Sequence, residues 1–98
     1  MAAYATIGGG TGNQVTGAGS GTVGGGVGNT ASGDSATVPG GSSNLAQGRE
    51  SLAAGRAARA LHDGSFVWAD RQGTILNPTP FDSTAANQFS VRDRKSVV

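Results

Sequence analysis

Few residues in this chain have types and spacing that could do chemistry. His62 and Asp63 are adjacent, which is half of a metal site or of a proton relay. One His and no Cys leave too few ligands for a closed zinc site, so this pair reads as structural. The Gly clusters 8–10 and 24–26 could cradle a phosphate, but a P-loop ends in Gly-Lys-Ser/Thr at a helix start, and no Lys precedes Lys95. Calcium-binding β-roll turns carry an Asp in each repeat, and only Asp34 is available here. Ser is plentiful, but a single His must serve any triad and nothing marks an activated nucleophile. No enzyme, metal or cofactor is expected. What remains is one basic group, Arg49, Arg56 and Arg59, with Asp63 and Trp68 nearby in sequence. The Arg side chains are expected to pair with Glu50, Asp63 and Asp70, within or between chains, or to meet acidic glycans or matrix proteins. Trp68 reads as a capping residue or as a sugar platform. Arg49, Arg56, Arg59, Asp63 and Trp68 are therefore the candidates for an interface between chains or for ligand contact.

The elements that must position these residues are written in a repeat. Ile7-Gly8-Gly9-Gly10-Thr11-Gly12-Asn13-Gln14-Val15-Thr16-Gly17 returns as Val23-Gly24-Gly25-Gly26-Val27-Gly28-Asn29-Thr30-Ala31-Ser32-Gly33. It returns again as Val38-Pro39-Gly40-Gly41-Ser42-Ser43-Asn44-Leu45-Ala46-Gln47-Gly48. A period of 15–16 residues with an apolar position and a Gly cluster at each return marks a solenoid. Each repeat predicts two short strands. One ends at Ile7, Val23 and Val38, which alternation places inside with Thr6, Thr22 and Thr37 outside. The other is centred on Val15, Ala31 and Ala46. Gly clusters make one corner, and Asn13, Asn29 and Asn44 are expected to make the second by adopting the left-handed region. Stacked coils then pair like strands in parallel. Such a roll has a thin core and open faces, which favours a homo-oligomer.

Composition shifts near Gly48. Fifteen of the 18 Gly lie at or before it, and twelve of the 13 charged residues lie after it. Gly-rich composition alone would suit a disordered tract, but a linker does not keep Asn, apolar and Gly positions in register three times. The net charge of +1 points to no nucleic-acid partner. No signal peptide is visible at Met1-Ala2-Ala3-Tyr4 and no apolar run approaches a membrane span, so any export signal and anchor are expected outside this sequence. Residues 1–64 read as about four coils. The fourth is degenerate and closes at Gly64 with one extra residue; 50–61 also admits a helix, but register favours a coil. Residues 65–98 read as a β-rich cap leading to a neck or stalk, with strands at 65–70, 74–76 and 88–92 and turns at 71–73 and 77–80. Phe66, Trp68, Phe81 and Phe89 gather there and are expected to plug the open end.

The Gly-Gly-Gly-x-x-Asn-x-Ala-x-Gly pattern resembles the head repeats of YadA-like trimeric autotransporter adhesins. The segment Leu52-Ala53-Ala54-Gly55-Arg56, continued by Phe66-Val67-Trp68-Ala69-Asp70, is similar to the close of such arrays. Ser83-Thr84-Ala85-Ala86-Asn87-Gln88-Phe89 resembles the stretch that follows. The resemblance covers residues 5–92. It implies an all-β, left-handed parallel β-roll with three chains about one axis, a homotrimer. It also implies an adhesive head on the bacterial surface, contacting host-cell or extracellular-matrix molecules, with no membrane insertion by this segment. The alternatives are a phage tail-fibre or tail-spike segment and an ice-binding solenoid, the latter because Thr6, Thr22 and Thr37 recur on one face.

Overall fold

The computed structural model describes residues 4–17, 19–71 and 79–93. The strand expected at 74–76 and most of its flanking turns lie outside these residues. Among the described residues every strand pairing is parallel. β1 (Thr6–Ile7), β3 (Thr22–Val23), β5 (Thr37–Val38), β8 (Leu52–Arg56), β10 (Phe66–Ala69) and β12 (Phe89–Arg92) stack in that order as one sheet, with β6 (Gly41–Ser42) also on β8. β2 (Gln14–Val15), β4 (Thr30–Ala31), β7 (Leu45–Ala46), β9 (Ala58–Ala60) and β11 (Phe81–Asp82) form the second sheet. The chain alternates between the two sheets, so it is an all-β parallel solenoid of about four coils. β10, β11 and β12 then extend the same two sheets by one longer turn. Register makes 50–61 a coil, not a helix.

The alternation holds. Val23, Val38, Ala53 and Val67 are buried on the first sheet, and Val15, Ala31, Ala46 and Ala60 on the second. Thr6, Thr22, Thr37, Leu52, Phe66 and Phe89 form one continuous outward row. Ile7 sits on the end strand of its sheet and stays exposed. Successive backbones nearly touch at the Gly corner. A Cβ on Gly10, Gly26, Gly41 or Gly55 would strike a carbonyl oxygen of the next coil, and all four have positive φ, where only Gly is unstrained.

The asparagines do something other than expected. They do not adopt the left-handed region; the residue before each does, at Gly12, Gly28 and Ser43, and Ala57 keeps that conformation in the fourth coil. This releases the Asn side chains inward. Asn29 and Asn44 are fully buried. Each amide donates within its own coil and to the next: Asn29 Nδ2 to Gly25 O and Gly41 O, Asn44 Nδ2 to Gly40 O and Gly55 O, all between 2.9 and 3.0 Å. Each side-chain oxygen accepts the backbone N–H one coil on, Asn13 from Asn29, Asn29 from Asn44 and Asn44 from Ala58, at 3.0 Å. A buried amide ladder thus satisfies the N–H groups of Asn29, Asn44 and Ala58 and adds a second donor to the Gly26 and Gly41 carbonyls.

The same three bonds span 16, 15 and 14 residues, so the coil shortens along the array. The fourth coil is therefore one residue shorter than the third, not one longer. Gly48 stacks on His62, and Gly64 takes the positive-φ turn position that Ser35 and Glu50 hold in earlier coils.

The ladder and the alternation generate two expectations. Asn44→Ala orphans the buried Ala58 N–H and takes a donor from the Gly40 and Gly55 carbonyls, at about 1–3 kcal/mol for the N–H left unpaired. Asn13→Ala at the exposed end admits water and should cost clearly less in urea unfolding; equal losses would contradict the ladder. Val23→Asp should abolish folding because a charge enters a narrow apolar interior, whereas Thr22→Asp should melt within a few degrees of the parent.

Candidate functional site

The second half of the array brings most of the unusual side chains to the outside. In Phe66-Val67-Trp68-Ala69 both phases of the alternation are apolar, and an interior that elsewhere holds Val, Ala and Asn takes Val67 and Ala69. Phe66 and Trp68 are thereby turned outward, and β12 adds Phe89 and Val91 beside them in register. Phe89 is 71% exposed and Trp68 44%. Phe66 and Phe89 stack with centroids 4.7 Å apart and planes 10° from parallel. With Leu52 and Ala54 of β8 in the same two rows, they make an apolar outer face. The aromatics therefore do not plug the end. Phe81 alone of the four packs against the core.

Beside this face lies a surface groove of about 570 Å³, lined by Val27, Ser42, Arg56, Trp68, Ala69 and Arg71 together with two corner glycines. Its floor follows the short bridge row Thr11, Val27, Ser42 and Arg56, which joins the two sheets. Arg56 is only 9% exposed. Among the described residues its guanidinium has no carboxylate within ion-pair distance and no hydrogen-bond partner.

The other predicted site residues go elsewhere. Arg49 lies in the turn between β7 and β8 and meets Asp63, in the turn between β9 and β10, at 3.2 Å. The Arg49 backbone N–H donates to Asp63 Oδ1 at 2.8 Å. That bond, with the Arg49 charge and side-chain bond and against opposing desolvation, holds the Asp63 carboxyl below its usual range. Arg59 points outward from β9 and faces Asp82 at 3.3 Å, with both side chains about two-fifths exposed. The contact lies outside hydrogen-bond geometry. Surface pairs of this kind contribute about 0–1 kcal/mol. Arg49, Arg56 and Arg59 thus occupy a turn, a corner and a sheet face and make no single cluster. Of the pairings expected for them, Arg49 with Asp63 forms within one chain, while Asp70 goes to Arg92 at 3.0 Å. His62 and Asp63 also part company. His62 Nδ1 and Ser83 Oγ lie 2.8 Å apart, and Ser83 Oγ accepts Leu61 N–H at 3.0 Å. Ser83 is buried, so this contact ties the long turn to β9 and presents no open nucleophile. No group of three or more His, Cys, Asp or Glu is placed to hold a metal among the described residues.

Arg92 is the residue that sequence reasoning overlooked. It binds Asp70 Oδ1, and its guanidinium also donates to the carbonyls of Thr79, Pro80 and Asp70 at 2.7–3.3 Å. It lies over the Phe81 ring at 5.6 Å. One side chain therefore closes the long turn from both ends. No signal short of the fold marks it, because its partners lie on distant segments.

No family model, curated protein or solved structure matches the chain. No helix among the described residues is long and apolar enough to cross a membrane.

Two outcomes follow from the ion pairs. Arg92→Ala should lower the melting temperature far more than Arg49→Ala, since the Arg92 side chain is 14% exposed and that of Arg49 71%. Similar melting shifts would mean that the long turn is held by other contacts. Because the folded Asp63 carboxyl titrates below 3.8, its contribution is full above that value and fades as pH falls through the lowered one. A carboxyl-carbon NMR titration should place Asp63 below an unstructured Asp, and Arg49→Gly should move it up only partly because the backbone donor survives.

Proposed function

We propose that this chain is a non-catalytic, adhesive head segment of a bacterial surface fibre. Three copies lie side by side as left-handed rolls and contact one another through the row of Leu52, Phe66 and Phe89 on the outside of the first sheet. The observation that carries the reading is that row, with Leu52, Phe66 and Phe89 stacked outward in register on a solenoid with a thin core. Contiguous exposed aromatics on a small protein mark an interaction surface. Stacked, flat and in register, they suit a second rigid sheet face. The repeat pattern and its resemblance to adhesin heads supply the handedness, the number of chains and the surface location. A fibre head of this kind binds through many shallow contacts, and strength comes from multivalency, not from one deep pocket. The ligands in this reading are host-cell or extracellular-matrix molecules.

A second reading has one observation in its favour. Thr6, Thr22 and Thr37 stand in register on the outer face, as an ice-binding row would. The next outward positions along the strands are Gly8, Gly24 and Pro39, so no second rank of hydroxyls stands on that side. An ice-recrystallisation assay separates the two readings.

Light scattering at several dilutions should give three times the chain mass. The double variant Phe66→Ser, Phe89→Ser should shift the mass to one chain while keeping a β-type spectrum. A parent that is monomeric and folded at micromolar concentration would sink the trimer.

A further inference from the structure

We infer that the groove between Arg56 and Trp68 is a binding subsite for an acidic sugar, a ring that carries a carboxylate or a sulfate. The first reason is Arg56 itself. A guanidinium stays charged at any working pH, and that of Arg56 lines the groove with its stem enclosed and no carboxylate beside it. The chain pairs Arg49, Arg59 and Arg92 with acids of its own and leaves the most enclosed of these arginines without one. A buried cation that lines a groove is preorganised for an external anion, and its planar fork fits carboxylate or sulfate oxygens in pairs. Arg71 adds a second cation to the lining.

The second reason is the wall opposite. Val27 and the exposed indole of Trp68 give the groove an apolar side with one flat aromatic. An indole offers area for the C–H face of a sugar ring at little cost in side-chain entropy. Cation and platform line the same cavity, so one ring can use both. A peptide would ask for exposed backbone donors along the groove. The floor is instead the bridge row, whose main-chain groups already pair coil to coil through Thr11, Val27, Ser42 and Ala57.

The site rests on the adhesive half of the reading above and not on the trimer. It lies at the corner edge of the first sheet, outside the stacked row of Phe66 and Phe89.

The test measures binding of four probes by calorimetry: a heparin oligosaccharide, a hyaluronan oligosaccharide, dextran and poly-glutamate. Binding of heparin with or without hyaluronan, and not of dextran, is expected; the hyaluronan arm says whether a carboxylate suffices or sulfate is required. Trp68→Ala should weaken binding by at least about tenfold, and Arg59→Ala should leave it unchanged. Arg56→Met is the sharper variant. If Arg56 is kept for a ligand, its removal abolishes binding while the melting temperature holds, because Met keeps the packing of the stem and no ion pair within the chain is lost. A lower melting temperature with unchanged heparin affinity makes Arg56 structural and overturns the inference. So does equal affinity for poly-glutamate, or undiminished binding in Trp68→Ala. The Phe66→Ser, Phe89→Ser variant should keep its affinity per chain even as a monomer, so loss of the oligomer and loss of the groove read separately.

Discussion

Everything in this fold depends on how closely one coil's backbone lies on the next. Corner glycines meet carbonyl oxygens of the following coil with no room for a Cβ. Inside the stacked coils the buried uncharged side chains are those of Val, Ala, Ser and Asn. Hydrophobic burial per coil is correspondingly small, since each Val contributes only about 1.5–3 kcal/mol. The parallel ladders and the inward asparagines carry the rest of the cohesion. The ladder also tolerates a change of coil length, because each Asn reaches one coil forward whether the step is 16, 15 or 14 residues.

The same narrowness sets the surface. Within the coils the inward positions hold small side chains, so Leu52, Phe66, Trp68 and Phe89 stand outside, and Phe81 alone packs against the core where the last turn covers it. In the first three coils the outward row of the first sheet is Thr, and the surface stays polar. From Leu52 onward the row becomes apolar, and the corner row turns from Thr11, Val27 and Ser42 to Arg56. One register shift in residue type, with no change of backbone, converts a plain solenoid into one with an apolar face and a cationic groove. The unusual outward side chains are gathered in the second half, on the same repeat backbone.

Much of this was legible in the residues. The returns of Ile7, Val23 and Val38 fixed one strand row, and Val15, Ala31 and Ala46 the other. The inside and outside assignment of Thr22 and Val23 follows from alternation alone. The asparagines misled because Asn is common both in left-handed turns and in buried ladders. Gly12 and Gly28, one residue earlier, already supplied the positive φ and freed Asn13 and Asn29 for the second role. The aromatics misled because a plug was imagined without asking whether the interior could hold one. The neighbours Val67 and Ala69, the size of every earlier core residue, were the available signal. Arg56 looked like a member of a basic cluster because sequence distance was read as spatial distance; a coil turns through three sides in a dozen residues. Arg92 was invisible, since its acceptors come from segments that meet only when the long turn closes.

The inward asparagine ladder is the claim on which coil stacking, narrow core and outward aromatics all rest. Hydrogen exchange of the side-chain amides, followed by NMR on the folded protein, addresses it directly. The Nδ2 protons of Asn29 and Asn44 should exchange orders of magnitude more slowly than the side-chain amide of exposed Gln47, with Asn13 in between. Asn29 and Asn44 exchanging as fast as Gln47 would place them at the surface and contradict the account.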